Sequence, residues 1–222
     1  VSVLTYEAKK AGKTILFEGA QATLLDIDFG TYPYVTSSHP LSAGVCTGTG
    51  VGPMTIDAIY GVAKAYTTRV GKGPFPTELN DETGDYIRNK GGEFGTITGR
   101  PRRTGWFDSV IVRHAVRVNG LSSLVINKLD TLAGLDTLKV CVAYKKPDGT
   151  IIKDFPPTLE GLEGCEPVYE EFKGFTDDLS ACRKFEELPE VCRKYISRLE
   201  ELCECPISMV GVGPDRAQVI ER

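Results

Sequence analysis

The sequence is poor in the residues that build metal centres and disulfide frameworks. Only two of its 222 residues are histidine, and its seven cysteines include no Cys-x-x-Cys pair. Zinc modules place cysteines and histidines at close, regular spacing, and an odd number of cysteines leaves at least one unpaired in a disulfide-stapled domain. The composition therefore argues against both classes and predicts reduced, mostly buried thiols in a cytoplasmic protein.

Long apolar runs and an overall positive charge are also lacking. No apolar stretch approaches membrane-spanning length, so no membrane partner is predicted. The net charge is −4 and the sequence pI is about 5.4, whereas nucleic-acid-binding domains are more often basic, so no nucleic-acid partner is predicted either. The composition, 41% hydrophobic and 25% charged, is that of a globular chain, and residues 1–222 are interpreted as having no separate second domain.

Three arginines lie close together in one predicted loop, which spans Gly95–Asp108. It carries Arg100, Arg102 and Arg103 between three glycines, together with the one tryptophan of the chain, Trp106. Guanidinium groups match carboxylates and phosphates in bidentate geometry, and glycines let a backbone approach a ligand closely. The loop is predicted to clamp a small polyanion; the alternative is a solvated basic loop.

A second motif follows the apolar run Leu124–Ile126, which is predicted to be a buried parallel strand. It reads Asn-Lys-Leu-Asp and ends at Asp130. The carboxylate of Asp130 can accept hydrogen bonds from N1–H and the 2-amino group of guanine, a donor pair that adenine lacks. Lys128 can lie along the base with its aliphatic stem. The alternative is a strand end with a surface lysine and a helix-capping aspartate.

Several polar residues occupy the N-terminal part of the chain. Gln21 follows a predicted strand, Thr14–Glu18, where it is either a ligand contact or a turn-capping amide. Asp26 and Asp28 form a carboxylate pair that suits metal or acid/base chemistry, although salt bridges or turn caps are the favoured interpretation. The hydroxyl run Thr36–Ser38 suits a phosphate.

The remaining pattern alternates strands and helices, which predicts an α/β fold with a mostly parallel sheet flanked by helices, a β-hairpin and loop-rich insertions. Ligands are expected at the carboxyl edge of that sheet. Gly48, Gly50 and Gly52 do not have the spacing of a dinucleotide fingerprint, so Ala43–Pro53 is predicted to be a flexible loop. Helices are predicted over Val1–Lys10, Ile56–Thr67 and Trp106–Asn119, and Ser180–Glu204 is predicted to be a helical region interrupted near Pro189. A hairpin is predicted over Lys139–Tyr144 and Thr150–Phe155, and strands over Pro167–Tyr169 and Pro206–Val212.

Five segments, in order, resemble the adenylosuccinate synthetases: Phe17–Gln21, Asp26–Ser38, Lys64–Gly71, Gly95–Asp108 and Asn127–Asp130. The resemblance implies a partial domain of a larger P-loop-like fold. It also implies a ligase reaction, in which GTP phosphorylates the 6-oxygen of IMP and the amine of L-aspartate displaces the phosphate. The products are adenylosuccinate, GDP and phosphate.

The resemblance also implies roles for individual residues, each matched to a family motif. The loop that closes on L-aspartate corresponds to Thr96, Ile97, Thr98, Gly99, Arg100, Pro101 and Arg102. Contacts to IMP correspond to Gln21, Thr36 and Arg100, and Val70 and Gly71 resemble a backbone segment beside the IMP ribose. Contacts to GTP correspond to Arg102, Lys128, Leu129, Asp130, Gly211, Val212 and Gly213.

The chain also departs from the family. Members are about twice as long, and their N-terminal half carries the phosphate loop, the catalytic Asp and His and the Mg²⁺ contacts, none of which has a match here. The chain begins at Val1, not Met, and has His39 where the family usually has Asn. It is therefore expected to be the C-terminal half of a homodimeric, Mg²⁺-dependent enzyme, without catalytic or metal residues and inactive alone. The alternative is a non-enzymatic guanine-nucleotide-binding module.

Overall fold

The computed structural model describes residues 1–96 and 99–222, so that Ile97 and Thr98 of the predicted aspartate loop lie outside the described residues. The helices are Ser2–Lys10 (α1), Ala43–Thr49 (α2), Glu82–Lys90 (α3), Ser109–Asn119 (α4) and Glu190–Cys203 (α5). The strands are Tyr60–Lys64 (β1), Thr67–Arg69 (β2), Arg103–Gly105 (β3), Phe107–Asp108 (β4), Ser123–Asn127 (β5), Leu135–Lys145 (β6), Ile151–Ile152 (β7), Glu166–Phe175 (β8), Ile207–Gly211 (β9) and Val219–Glu221 (β10).

The first sheet has the strand order β1-β5-β9-β10. Strands β1, β5 and β9 are parallel, and β10 is antiparallel to β9. The register pairs Lys64 with Asn127, and Ile126 with Val210. The carboxyl ends of three parallel strands therefore meet at one edge, and they bring Lys64, Asn127 and Gly211 to it. The buried parallel strand predicted at Leu124–Ile126 is confirmed.

The second sheet is mixed and is built around the long strand β6. Strand β4 pairs with β6 in parallel, while β7 and β8 pair with it in antiparallel orientation. The predicted hairpin is the β6–β7 pair, and the predicted strand at Pro167–Tyr169 lies within β8. Strands β2 and β3 form a separate antiparallel pair. The α/β class with parallel strands flanked by helices is confirmed.

Two amphipathic helices cover the apolar side chains of these sheets. Helix α4 starts at the N-cap residue Asp108, whose carboxylate accepts from two backbone N–H groups of the first turn, and it ends at Gly120 with φ +61°. Helix α5 buries Tyr195, Ile196 and Leu199 completely in the main core. Burial of each such side chain contributes about 1.5–3 kcal/mol. Within residues 1–96 and 99–222, no helix is long and apolar enough to cross a bilayer.

Three local predictions are wrong. Ile56–Thr67 has apolar residues at helical spacing, but Tyr60–Lys64 is a strand because its full length pairs with β5. Thr14–Glu18 has no regular secondary structure, and Leu16 is 88% exposed, so this apolar run does not serve as a core strand here. The glycine-rich Ala43–Pro53 contains helix α2, which Gly50 ends in the left-handed conformation at φ +72°.

A glycine in β8 provides a test of the second sheet. A Cβ atom added at Gly174 would lie 1.6 Å from the carbonyl oxygen of Leu135, a backbone atom that cannot move without disturbing the β6–β8 pairing. We expect Gly174→Ala to lower the free energy of unfolding by about 1–3 kcal/mol in urea denaturation. The control is Gly48→Ala, because no heavy atom of the described residues lies within 4 Å of that added Cβ, apart from its chain neighbours and its own helix backbone. Equal losses in the two variants would contradict the register described for β6 and β8.

Candidate functional site

The candidate site lies at the carboxyl edge of the first sheet. Lys64 ends β1 beside Asn127, which ends β5, and Lys128 follows with φ +61°. The left-handed conformation costs a non-glycine residue about 1 kcal/mol or more. It turns the chain into the short 3₁₀ helix Leu129–Leu132, while the Lys128 Nζ donates to the carbonyl of Gly91 at 2.5 Å. The Asn-Lys-Leu-Asp motif therefore does follow a buried parallel strand.

A fully buried carboxylate, Glu93, organises this edge. Its Oε1 accepts from the Tyr66 hydroxyl at 2.6 Å and from Lys128 Nζ at 3.1 Å. Its Oε2 accepts from Lys64 Nζ and from Arg102 Nη1, both at 2.8 Å. We call these five residues the Glu93 centre. It joins the arginine loop to the Asn-Lys-Leu-Asp motif, two segments whose direct contact was not predicted from the sequence.

The Glu93 centre carries more positive than negative charge. Burial raises the pKa of Glu93, but hydrogen bonds from Lys64, Tyr66 and Arg102 outweigh burial and lower that pKa to about 2. Burial lowers the pKa of Lys64, an effect that Glu93 opposes. Burial and the neighbouring carboxylate both raise the pKa of Tyr66. With one carboxylate ionised among three cationic side chains, two positive charges remain to attract an anionic ligand.

The base of the arginine loop is fixed to this centre. The Arg102 amide donates to the Glu93 carbonyl at 2.9 Å, and the Gly95 amide donates to the Arg100 carbonyl at 2.8 Å. Phe94 and Pro101 form an antiparallel bridge between these two hydrogen bonds. Among the described residues of the outer loop, Thr96, Gly99 and Arg100 are exposed. A rigid stem therefore carries an exposed arginine above a positively charged edge.

The predicted three-arginine clamp needs one correction. Arg103 is bound in bidentate fashion to Glu78, with both nitrogen–oxygen distances at 2.6 Å. It also donates to the carbonyls of Gly71 and Gly73 at 3.1 and 2.9 Å. Its guanidinium is thus used to brace the backbone of the preceding loop. Arg100 and Arg102 remain the candidate ligand contacts.

Asp130 has a buried carboxylate oxygen that can accept a hydrogen bond from a ligand. Within residues 1–96 and 99–222, its Oδ1 is a buried oxygen without a hydrogen-bond partner. Burial raises the pKa of Asp130, an effect that Lys90 and Lys128 oppose. An unsatisfied buried oxygen costs about 1–3 kcal/mol, and a ligand with N–H donors would offset that cost.

Other residues predicted to contact GTP are packed inside the fold. The side chains of Leu129 and Val212 belong to the main core, so only their backbone atoms could face a ligand. A Cβ at Gly211 would lie 2.6 Å from Asn127 Oδ1, and one at Gly213 would lie 2.3 Å from Gln218 Oε1. Close packing against these two amide side chains is itself a reason for glycine at both positions.

Gln21 and Thr36, predicted to contact IMP, are brought together in a polar cluster with Ser38. The Gln21 Nε2 donates to Thr36 Oγ1 at 3.2 Å, and Ser38 Oγ donates to Gln21 Oε1 at 3.3 Å. The two hydroxyls of Thr36 and Ser38 are 3.3 Å apart. Gln21 has φ +70°, which turns its side chain out of the extended segment before it. The result is an exposed set of donors suited to an oxygen-rich ligand.

The sequence analysis missed Glu93, Lys64 and Tyr66 as site residues. Glu93 lies between glycines in Gly91–Gly95, directly before the arginine loop. A single acid next to a basic loop is a weak signal, because sequence alone does not tell a buried carboxylate from an exposed one. Lys64 and Tyr66 were hidden by the wrong helix prediction for Ile56–Thr67.

The residues of the centre do not fit a Mg²⁺ ion. Both oxygens of Glu93 already accept hydrogen bonds, and three cations surround them. The unpaired oxygen of Asp130 has Lys90 and Lys128 as neighbouring charges. Mg²⁺ requires oxygen ligands in an environment of negative charge, which the Glu93 centre does not offer.

Curated proteins are similar to almost the whole of this chain. The chain is 61% identical over 220 residues to the adenylosuccinate synthetase of Heliobacterium modesticaldum, and 58% identical over 219 residues to that of Caldanaerobacter subterraneus. Each match covers 99% of this chain and 51% of the relative, so the chain spans about half the length of these curated relatives.

Two solved structures are also similar to this chain over almost its whole length. The fully ligated adenylosuccinate synthetase from Plasmodium falciparum superposes with a TM-score of 0.96 at 43% identity, over 99% of this chain and 53% of that one. A succinoaminodeoxyadenylate synthetase from cyanophage S-2L, solved with dGMP and dATP, has a TM-score of 0.59 at 19% identity and shares the fold. A family model described as adenylosuccinate synthetase matches residues 1–220, and the chain therefore belongs to the adenylosuccinate synthetase family.

Proposed function

We propose that this chain supplies the aspartate loop, part of the IMP site and the guanine site of a ligase that joins IMP and L-aspartate at the expense of GTP. The observation that carries the proposal is the convergence of Arg102 and Lys128 on Glu93. The first residue comes from the proposed aspartate loop and the second from the proposed guanine motif. One buried carboxylate thus holds both in fixed positions.

The guanine assignment rests on Asp130. Its Oδ1 is buried and has no hydrogen-bond partner among the described residues, so it can accept from N1–H or the 2-amino group of guanine, while adenine presents an acceptor at N1 and no 2-amino group. Lys128 is held nearby by Gly91 and Glu93, so its aliphatic stem can lie along the base. The backbone of residues 211–213 would face the other side of the base.

The aspartate and IMP assignments rest on charge and donor geometry. The guanidinium groups of Arg100 and Arg102 match the two carboxylates of L-aspartate, and a phosphate oxygen can be bound by either fork. Gln21 and Thr36 offer amide and hydroxyl donors to the nucleotide. These groups bind and orient substrates, and Arg102 would in addition reach the GTP phosphates.

The proposal divides the chemistry between this chain and the rest of the enzyme. The phosphate loop, the catalytic Asp and His and the residues that hold Mg²⁺ are assigned to the N-terminal half of the family members. The present chain alone is accordingly inactive, and the intact enzyme is a homodimer of the cytoplasm. A fold that matches about half of each relative supports this division.

Nucleotide specificity tests the guanine site. In the chain mixed with a separately produced N-terminal half, we expect Asp130→Asn to lower kcat/KM for GTP roughly tenfold to a hundredfold, because the amide cannot accept both guanine donors. The same variant should gain activity with xanthosine triphosphate, whose 2-oxygen can accept from the new amide. The control is Asp136→Asn, which changes an exposed carboxylate in β6. Unaltered preference in Asp130→Asn would remove Asp130 from the site.

A second candidate is a guanine-nucleotide-binding module without catalysis. It is favoured by Asp130, whose acceptor role needs no catalytic residue, together with the coverage of half of each relative. Tight GTP binding by the folded chain, with no turnover after mixing with the N-terminal half, would support this candidate over the ligase.

A further inference from the structure

A turn in the N-terminal part of the chain carries a cluster of two carboxylates and one histidine, outside the Glu93 centre. Asp26 Oδ1 accepts from the backbone amides of Asp28 and Phe29 at 3.0 and 3.1 Å. This confirms the turn-cap interpretation of the Asp26/Asp28 pair. The turn uses one oxygen of Asp26 and leaves the other for a different contact.

That second oxygen is buried and unsatisfied. Asp26 is fully buried, and within residues 1–96 and 99–222 its Oδ2 has no hydrogen-bond partner. It lies 3.7 Å from Nδ1 of His39, and the same nitrogen lies 3.6 Å from Asp28 Oδ2. Both distances are too long for a hydrogen bond. The imidazole nitrogen therefore lies at ion-pair distance from both carboxylates without a hydrogen bond to either.

Backbone hydrogen bonds hold the two ligand-bearing segments side by side. The Ile27 amide donates to the Ser38 carbonyl at 3.2 Å, and the Thr36 amide donates to the Leu25 carbonyl at 2.8 Å. His39 thus faces the turn because of the main-chain pairing, whether or not a ligand binds. A preorganised set of ligands loses less entropy when it binds a cation.

We propose that Asp26, Asp28 and His39 form a site for one divalent transition-metal ion of the Zn²⁺ class. All three ligand atoms lie within 4.8 Å of one another. Metal bonds of about 2.1 Å in a tetrahedron place neighbouring ligand atoms about 3.4 Å apart, close to the separations seen here. The imidazole favours Zn²⁺ or Co²⁺ over Mg²⁺ and Ca²⁺, which prefer sites made of oxygen ligands alone.

Occupancy would give Asp26 Oδ2 the partner that it lacks. His39 and Asp28 are half-exposed and exposed, so water can complete the coordination and the ion can enter from solvent. The ion would tie the turn to the segment that carries Thr36 and Ser38. It would therefore stabilise the polar cluster around Gln21 without taking part in chemistry at the Glu93 centre.

The test is a metal titration of the purified, chelator-treated 222-residue chain. We expect one equivalent of Co²⁺ to give visible ligand-field absorption without a sulfur-to-metal charge-transfer band, Zn²⁺ to displace it, and Zn²⁺ but not Mg²⁺ to raise the melting temperature. His39→Asn and Asp28→Asn should each raise the Zn²⁺ dissociation constant at least about tenfold. Asp57→Asn, which changes a carboxylate that is 88% exposed and lies outside this cluster, should leave the constant unchanged.

Three results would overturn the proposal. They are no stoichiometric binding, unchanged affinity in a folded His39→Asn or Asp28→Asn variant, and a strong charge-transfer band that assigns the ion to cysteines. Circular dichroism reports whether each variant is folded. Asp28 is 65% exposed, so its substitution keeps the test valid even if His39→Asn perturbs the fold.

Discussion

Replacing Glu93 with alanine is expected to lower the free energy of unfolding by about 3–5 kcal/mol, because it leaves Lys64, Arg102 and Lys128 without their shared buried counter-ion. The buried Tyr66 hydroxyl loses its acceptor as well. Chemical denaturation at neutral pH measures the change. The matched control is Glu171→Ala, since the Glu171–Lys139 pair is exposed and such pairs contribute about 1 kcal/mol or less.

The loss of unfolding free energy in Glu93→Ala is expected to depend on pH. Its pKa falls from 4.5 to about 2 in the folded chain, so its stabilisation is fully present above pH 4.5 and is lost as the pH falls toward 2. The difference in stability between the wild type and Glu93→Ala should therefore shrink on acidification. A difference below about 1 kcal/mol at neutral pH would show that Glu93 does not organise the site.

The contribution of Asp108 to the free energy of unfolding is expected to have the opposite pH dependence. It should fall by about 3 kcal/mol as the pH rises from below 4 to above 6. Burial raises the pKa of this carboxyl from 3.8 to about 6, despite hydrogen bonds from Tyr144 and from the backbone amides of Ile111 and Val110. A folded-state pKa above the unfolded value gives stability that is complete below the unfolded pKa. That stability is lost as the pH passes through the folded pKa.

Asp108→Asn isolates this effect, because asparagine is also a good N-cap residue for α4 and does not titrate. The wild type minus variant difference in unfolding free energy should fall by about 3 kcal/mol between pH 3.5 and pH 7. In Tyr144→Phe the fall should move to higher pH, since the Tyr144 hydrogen bond lowers the pKa of Asp108. A difference that stays constant across this range would contradict the burial of an ionisable Asp108.

The sequence correctly predicted those elements whose residue pattern is compatible with only one type of secondary structure. Leu124–Ile126 is a continuous apolar run, which a strand buried on both faces requires, and it became the central strand β5. The Pro147-Asp148-Gly149 turn predicted the β6–β7 hairpin for a similarly local reason. The start of α4 was predicted at Trp106, three residues before its first residue Ser109, although Asp108 is the residue that the N-cap rule selects.

Predictions from the sequence were wrong or missing where contacts between residues far apart in the chain determine the structure. Ile56, Ile59, Tyr60 and Ala63 are spaced for a helix, yet pairing with β5 makes Tyr60–Lys64 a strand. The role of Glu93 was equally invisible, because Lys64, Arg102 and Lys128 are 29, 9 and 35 residues away along the chain. Arg100, Arg102 and Arg103 look equivalent in sequence, and only the structure shows that Arg103 is paired with Glu78 and Arg102 with the buried Glu93.

The most direct test of the account is turnover of GTP, IMP and L-aspartate, followed by the absorbance of adenylosuccinate. It compares the 222-residue chain alone with the chain mixed with the N-terminal half of the Heliobacterium modesticaldum relative. The account predicts no product from the chain alone and product after mixing. Product from the chain alone would contradict the assignment of the catalytic residues to the N-terminal half. No product from two folded halves would contradict the ligase assignment.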